Sequence, residues 1–170
     1  MPLRDIVTLP DPILRRKART ITRFDADLQS LIDDMIETMR KAPGVGLAAP
    51  QVGISRRLIV VEYPKDDELD EAPKKLYVVV NPEIKETSEE TEMGIEGCLS
   101  IPGLHGEVER AIAVTVKGQT RRGQPMKIKT KGWLARIFQH EIDHVNGVVF
   151  TDRAAKVWKP APEEPVLDNV

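Results

Sequence analysis

Two hydrophobic periods divide this chain into helices and strands. From 26 to 41, Leu28, Leu31, Ile32, Met35, Ile36 and Met39 recur at helical spacing, with Asp33, Asp34, Glu37 and Arg40 between them. Asp25 stands where an N-cap belongs, Phe24 precedes it as a hydrophobic staple, and Pro43 ends the run. The pattern predicts an amphipathic helix packed on the outside of the fold. Residues 58–63 and 76–80 read as strands, the second closed by Asn81-Pro82, and the charged run 83–92 reads as an exposed edge or hairpin strand. Val108, Ala111, Ala113 and Thr115, with Ile112, Val114 and Val116, predict one long β segment. Residues 118–123 turn the chain, and Met126, Ile128 and Thr130 return it as a hairpin partner.

Residues 133–146 contain neither Gly nor Pro and lie between Gly132 and Gly147, which predicts a second helix. On a wheel of about 100° per residue, Leu134, Ile137, Phe138, Ile142 and Val145 form a wide apolar arc. Arg136, Gln139, Asp143 and Asn146 form a narrower polar one, and Trp133, His140 and His144 fall between the two. So apolar a circumference belongs to a buried helix. The expected fold class is α+β: mostly antiparallel sheets around this buried central helix, with the 26–41 helix as one further amphipathic helix near the N-terminus.

Composition narrows the class. At 170 residues the chain is one domain, read as a body over 1–153 and a short Pro-rich tail over 154–170 with little helix, extended or poorly ordered. A net charge of −2, with no concentrated basic stripe, gives no case for nucleic acid. The single Cys excludes an intrachain disulfide, and no apolar run approaches the ~18 residues of a membrane span. The N-terminus has neither a signal-peptide nor a transit-peptide character, so the expected location is the cytoplasm of a bacterium, with a trimmed organellar form left open. Residues 64–75 are charged and read as an exposed loop.

The chemistry is concentrated in three stretches. Residues 139–144 read Gln-His-Glu-Ile-Asp-His and carry two of the three histidines. On a helix, His140 and His144 lie one above the other and can bind one metal ion. Glu141 projects to the side, where it reaches a water in an open coordination position rather than the metal. The third ligand is not fixed by this motif. Phe150 stands where one zinc-peptidase pattern has a third His; Glu163 and Glu164 lie at the distance used by another, but between prolines; Cys98, the sole cysteine, lies upstream. Residues 44–53 (Gly-Val-Gly-Leu-Ala-Ala-Pro-Gln-Val-Gly) read as a Gly-rich turn. That turn either simply joins helix to strand or lines a cleft and presents the Gln51 amide to a developing oxyanion. Residues 96–103 set Cys98 in a short loop.

Together, G-V-G-L-A-A-P-Q at 44–51, E-G-C-L-S at 96–100 and Q-H-E-I-D-H at 139–144 resemble the three signature motifs of the peptide deformylases, in order and in spacing, over roughly residues 3–153. The resemblance implies hydrolysis of the N-formyl group from the N-terminal formylmethionine of nascent polypeptides, with release of formate. It implies one divalent metal held by Cys98, His140 and His144, ferrous iron by family preference, with Zn2+, Ni2+ or Co2+ also able to occupy the site. Glu141 would carry the proton, and Gln51 and the Leu99 backbone N–H would stabilise the oxyanion. Val45, Gly46, Gly97, Trp133, Arg136 and Ile137 would bind the methionyl substrate. His105 stands where many relatives have an arginine that holds the substrate backbone, a departure from the pattern. The short tail gives no support for the ribosome docking of relatives with a long C-terminal helix. Two other readings stay open at this stage: a zinc peptidase completed by Glu163 or Glu164, and a non-catalytic metal-holding or nascent-chain-binding module of the same fold.

Overall fold

The segment Leu58-Ile59-Val60-Val61 is apolar at every position, which suits a strand only when both of its faces are covered. The computed structural model, which describes residues 3–65 and 73–160, supplies a cover on each side. A five-stranded sheet has the order β1 (Gly46–Ala48), β2 (Leu58–Pro64), β3 (Lys74–Thr87), β6 (Ala113–Gln119), β7 (Pro125–Lys131). Helix α1 (Ala26–Lys41) packs on one face against Leu58 and Val60, and helix α2 (Gly132–Val145) on the other against Ile59 and Val61. A smaller sheet, β4 (Thr91–Cys98), β5 (Ile101–Ala111) and β8 (Lys156–Trp158), belongs to a third apolar cluster with Cys98, Ile101, Val108, Val149 and Phe150. All pairings between named strands are antiparallel, and α2 contacts strands of both sheets.

Each helix follows from its pattern. In α1, Leu28, Leu31, Ile32, Met35 and Met39 are buried, each stabilising the fold by roughly 1.5–3 kcal/mol. Asp25 Oδ1 accepts from Leu28 N at 3.0 Å, a cap worth ~1 kcal/mol. Phe24 packs on the same cluster, with its ring against Gly123. At the end of α2, Gly147 N donates to His144 O and Val148 N to Asp143 O, at 3.1 and 2.9 Å. This closing turn needs a left-handed residue, and Gly147 supplies it at φ 78°. A Cβ there would also stand 2.6 Å from Arg15 O.

Several sequence expectations change. The 44–53 stretch is not a plain turn: Gly46–Ala48 pairs with β2, and Ala49–Val52 forms one 3-10 turn. Asn81-Pro82 does not close a strand. β3 runs on to Thr87 through a bulge, where Asn81 takes φ 53° and its side chain binds Ile21 N and Ile21 O at 2.8 and 2.9 Å. The long β segment around 108–116 divides at Ile112, and its halves join different sheets. Cys98 ends a strand rather than sitting in a loop. Beyond α3 (Phe150–Arg153), residues 156–158 of the expected tail pair with β5. Glu163 and Glu164, like most of the 64–75 loop, lie outside the described residues.

Candidate active site

Strand alternation and helical spacing bring the reactive groups together. Cys98 and Glu96 are two apart on β4 and so share a face; His140 and His144 are four apart on α2 and share another. The ligand atoms of Cys98, His140 and His144 all lie within 4.8 Å of one another, and all three residues are buried. Cys98 Sγ is 3.4 Å from His144 Nε2, which is 3.2 Å from His140 Nε2. His140 Nδ1 faces Glu96 Oε1 at 2.8 Å. A proton on Nδ1 donated to that carboxylate leaves the Nε2 lone pair aimed at the centre. One sulfur and two imidazole nitrogens converging in this way fit a three-ligand cation site with an open position.

Glu141 lies beside the centre, 0% exposed, with neither carboxyl oxygen hydrogen-bonded among the described residues. Burial, then the charge of Glu96, pushes its pKa well above the usual carboxylate range. Burial, with Glu141 next, likewise raises the Cys98 thiol, while the N–H groups of Ser100 and Ile101 pull the other way. Burial lowers His144 well below an ordinary histidine, helped by His140 and Arg110. Glu96 goes in the opposite direction: burial would raise it, but the bonds to His140 and Arg110 overcome that and hold it well below the usual range.

Gln51 is fixed at both ends of its amide. Oε1 accepts from Ala48 N at 2.9 Å; Nε2 donates to Ser100 Oγ at 3.1 Å and toward Cys98 Sγ at 3.6 Å. The turn-tying role and the site-facing role are therefore held by one side chain. Gly46 backs directly onto Glu141, since a Cβ there would stand 2.6 Å from Oε2. Gly97 is buried between Glu96 and Cys98, and Leu99 begins the turn from β4 to β5, its side chain against Gly44. Val45 and Trp133 are half-buried against the main core, and Ile137 is wholly inside it. Arg136 sends Nη1 to Glu96 Oε2 at 2.7 Å and Nη2 to Glu92 O at 2.8 Å, over Gly94. His105 stacks edge-on against Trp158 at 6.2 Å.

The motif reading gave no role to the ion pairs behind the ligands. Arg110 donates Nε and Nη2 to Glu96, both at 2.9 Å, and Nη1 to Asp143 Oδ2 at 2.6 Å; Arg153 grips the same Asp143 from α3. Two signals were present in the sequence. Glu96 alternates with Cys98, and Arg110 shares a strand face with Val108, where a buried cation requires a buried acid.

The sequence matches the polypeptide deformylase family over residues 3–159. The chain belongs to the peptide deformylases. It is 46% identical over 159 residues to the peptide deformylase of Natranaerobius thermophilus, covering 94% of this chain and 97% of that one. The Halothermothrix orenii peptide deformylase is 49% identical over 157 residues, 92% of this chain and 97% of the relative. The crystal structure of the Thermotoga maritima peptide deformylase superposes with a TM-score of 0.82 at 44% identity, covering 92% of this chain and 100% of that one. The Synechococcus elongatus peptide deformylase, solved in complex with actinonin, gives 0.81 at 43%, with 92% and 81% covered. The α+β fold expected from the hydrophobic pattern is thus the fold observed, and it is shared with these structures.

Proposed function

We propose that this chain hydrolyses the formamide bond at the N-terminal formylmethionine of new polypeptides, releasing formate and a free amine. The observation that carries this reading is the convergence of Cys98, His140 and His144 beside a buried Glu141 whose carboxyl has no protein partner among the described residues. A divalent cation held by those three side chains supplies a Lewis acid that makes water a nucleophile near neutral pH. Ferrous iron is the proposed ion, on family resemblance; the donor set suits zinc equally, and Ni2+ or Co2+ can substitute.

The protein's own residues move the proton and hold the charge. Glu141 accepts a proton from the attacking water and passes it to the departing amine as the C–N bond breaks. Gln51 Nε2 and the Leu99 N–H donate to the oxyanion, each worth ~3 kcal/mol. The bond from Ala48 N keeps the Gln51 amide in the orientation that turns NH2, not oxygen, toward Cys98. Val45, Gly46 and Gly97 line the approach, and the methionine side chain is directed toward the Trp133–Ile137 part of α2. The proposed setting is the bacterial cytoplasm, and among the described residues no helix is long and apolar enough to cross a membrane.

The test is an anaerobic formate-release assay on formyl-Met-Ala-Ser, with metal analysis of the same sample. Formate should appear with about one metal per chain, and Cys98→Ala should lose both. Cleavage of unformylated peptides with metal retained in Cys98→Ala would overturn the reading in favour of a peptidase.

A further inference from the structure

A cleft of ≈ 920 Å3 lies away from the Cys98–His140–His144 centre and shares no residue with it. Among the described residues five cations line it: Arg16, Lys17, Arg19, Arg23 and Arg56. All five are exposed, and none pairs with a carboxylate among the described residues. In sequence they are split between 16–23 and 56, so they form no linear stripe; the fold gathers them.

The way they are gathered points to a ligand. Arg19 and Arg56 are partners in an isolated parallel β-bridge, with Arg19 N donating to Ser55 O at 3.0 Å and Arg57 N to Arg19 O at 2.9 Å. Bridge partners sit about 5 Å apart and project to the same side. Like charges so placed repel unless an anion lies between them. The segment is also fixed from below: Ala18 N donates to Val145 O at 2.8 Å, and the Asn81 side chain holds Ile21 N and Ile21 O. The two guanidinium groups are therefore presented on a braced backbone, suited to bidentate capture of phosphate oxygens.

The remaining lining narrows the anion. Among the described residues no aromatic side chain lines the cleft, so they offer no platform for splayed bases. Thr20, Thr22 and Ser55 add hydroxyls. Asp25 and Asp27 also line it; Asp25 Oδ1 is committed to capping α1, but Asp27 is exposed. Carboxylates repel phosphate, yet they accept from a 2′-hydroxyl, a donor that RNA has and DNA lacks. We propose that this cleft binds the backbone of double-helical RNA, with Arg19 and Arg56 sharing one phosphate.

The experiment is fluorescence anisotropy with a labelled 16-base-pair RNA duplex at 50 and 200 mM KCl, alongside the matching DNA duplex and poly-glutamate. Five cations, two of them sharing a phosphate, make four phosphate contacts, which predict an affinity loss of roughly 150-fold between the two salts. The Arg19→Gln/Arg56→Gln double variant should bind RNA at least tenfold more weakly at 50 mM and show a shallower salt dependence. Its formate release from formyl-Met-Ala-Ser should be unchanged, which also separates this proposal from the deformylase reading. Absence of RNA binding at 50 mM would overturn it. So would DNA or poly-glutamate binding as tight as RNA, or a double variant that binds like the parent.

Discussion

Gly46→Ala adds one methyl group and tests how tightly Glu141 is held. A Cβ at 46 would stand 2.6 Å from Glu141 Oε2 and 2.9 Å from both Cδ and Cγ, against an ordinary contact of at least 3.4 Å. The carboxyl must therefore retreat by about 0.8 Å, or β1 must lift from its pairing with β2 at Val61. Swinging only the carboxylate tip gives incomplete relief, because Cγ is crowded too and Glu141 is 0% exposed. Displacement of a proton carrier by about 1 Å costs roughly 100-fold in rate. Overpacking costs about 1–3 kcal/mol of stability. The expected variant is folded, slightly less stable in urea, normal in metal content, and about 100-fold lower in kcat for formate release. A different role for Gly46, docking the substrate backbone, predicts a raised KM with kcat nearly unchanged. The two accounts also separate in the Glu141→Gln background. If the methyl group acts through the carboxyl, adding Gly46→Ala there should lower the residual rate less than about twofold, because the shared group is already gone. A single variant with kcat within threefold of the parent, or full additivity in the double variant, would refute the reasoning.

Three further outcomes follow from named contacts. Gln51→Glu keeps an acceptor for Ala48 N but replaces the donor aimed at Ser100 Oγ and Cys98 Sγ with negative charge, so kcat should fall at least ~100-fold at neutral pH; retention of half the parent rate would return Gln51 to a purely structural role. Arg110→Met strips a buried guanidinium from Glu96 and Asp143, and chemical unfolding should show a loss of about 3–5 kcal/mol, whereas a loss under 1 would mean that the pairs are dispensable. Glu62 is lowered by its hydrogen bonds to the exposed Arg40, so its contribution is full above the unfolded value near 4.5 and is lost as pH falls through the lower folded value. Discounted for solvent screening it amounts to ~0.5 kcal/mol, so Glu62→Gln should lower Tm slightly at pH 7 and leave it unchanged at pH 2.5; a drop of equal size at both would contradict the linkage.

What the sequence disclosed depended on whether a contact was local. The span of α1, its Asp25 cap and the buried character of α2 depend on neighbours within four residues, where periodicity and capping chemistry are decisive. The pairing of His140 with His144 is of the same kind, and motif order brought in Cys98 from 46 residues away. Features that needed tertiary information were not visible. The division at Ile112 depends on β5 and β6 entering different sheets, although the apolar run is unbroken across it. Passage of β3 beyond Asn81-Pro82 depends on Asn81 binding Ile21, 60 residues earlier. Arg136 and Asp143 stood on the polar arc of a helical wheel, which suggests solvent; the small sheet covers them, and they are 4% and 8% exposed.

That cover raises the question of why charges lie there at all. A buried ion pair is often no more stabilising than well-packed apolar residues of the same volume, because desolvation consumes most of the attraction. Stability is thus a poor reason for Arg110, Glu96, Asp143 and Arg136 to meet there. Direction is a better one. The site draws Cys98 and Glu96 from β4, Gln51 from the turn after β1, and His140, Glu141 and His144 from α2, so its geometry depends on how a helix sits against strands of two sheets. Apolar contacts tolerate small sliding, whereas charged hydrogen bonds of 2.6–2.9 Å do not. Arg110 on β5 ties Asp143 on α2 to Glu96 on β4, and Glu96 in turn holds His140 Nδ1. A shift of α2 along the small sheet would strain Arg110–Asp143 and Glu96–His140 together as it carried His140 Nε2 away from Cys98, so these bonds oppose the shift. The network therefore acts as a registration device: it turns the approximate packing of a helix on a sheet into the fixed convergence of three donor atoms.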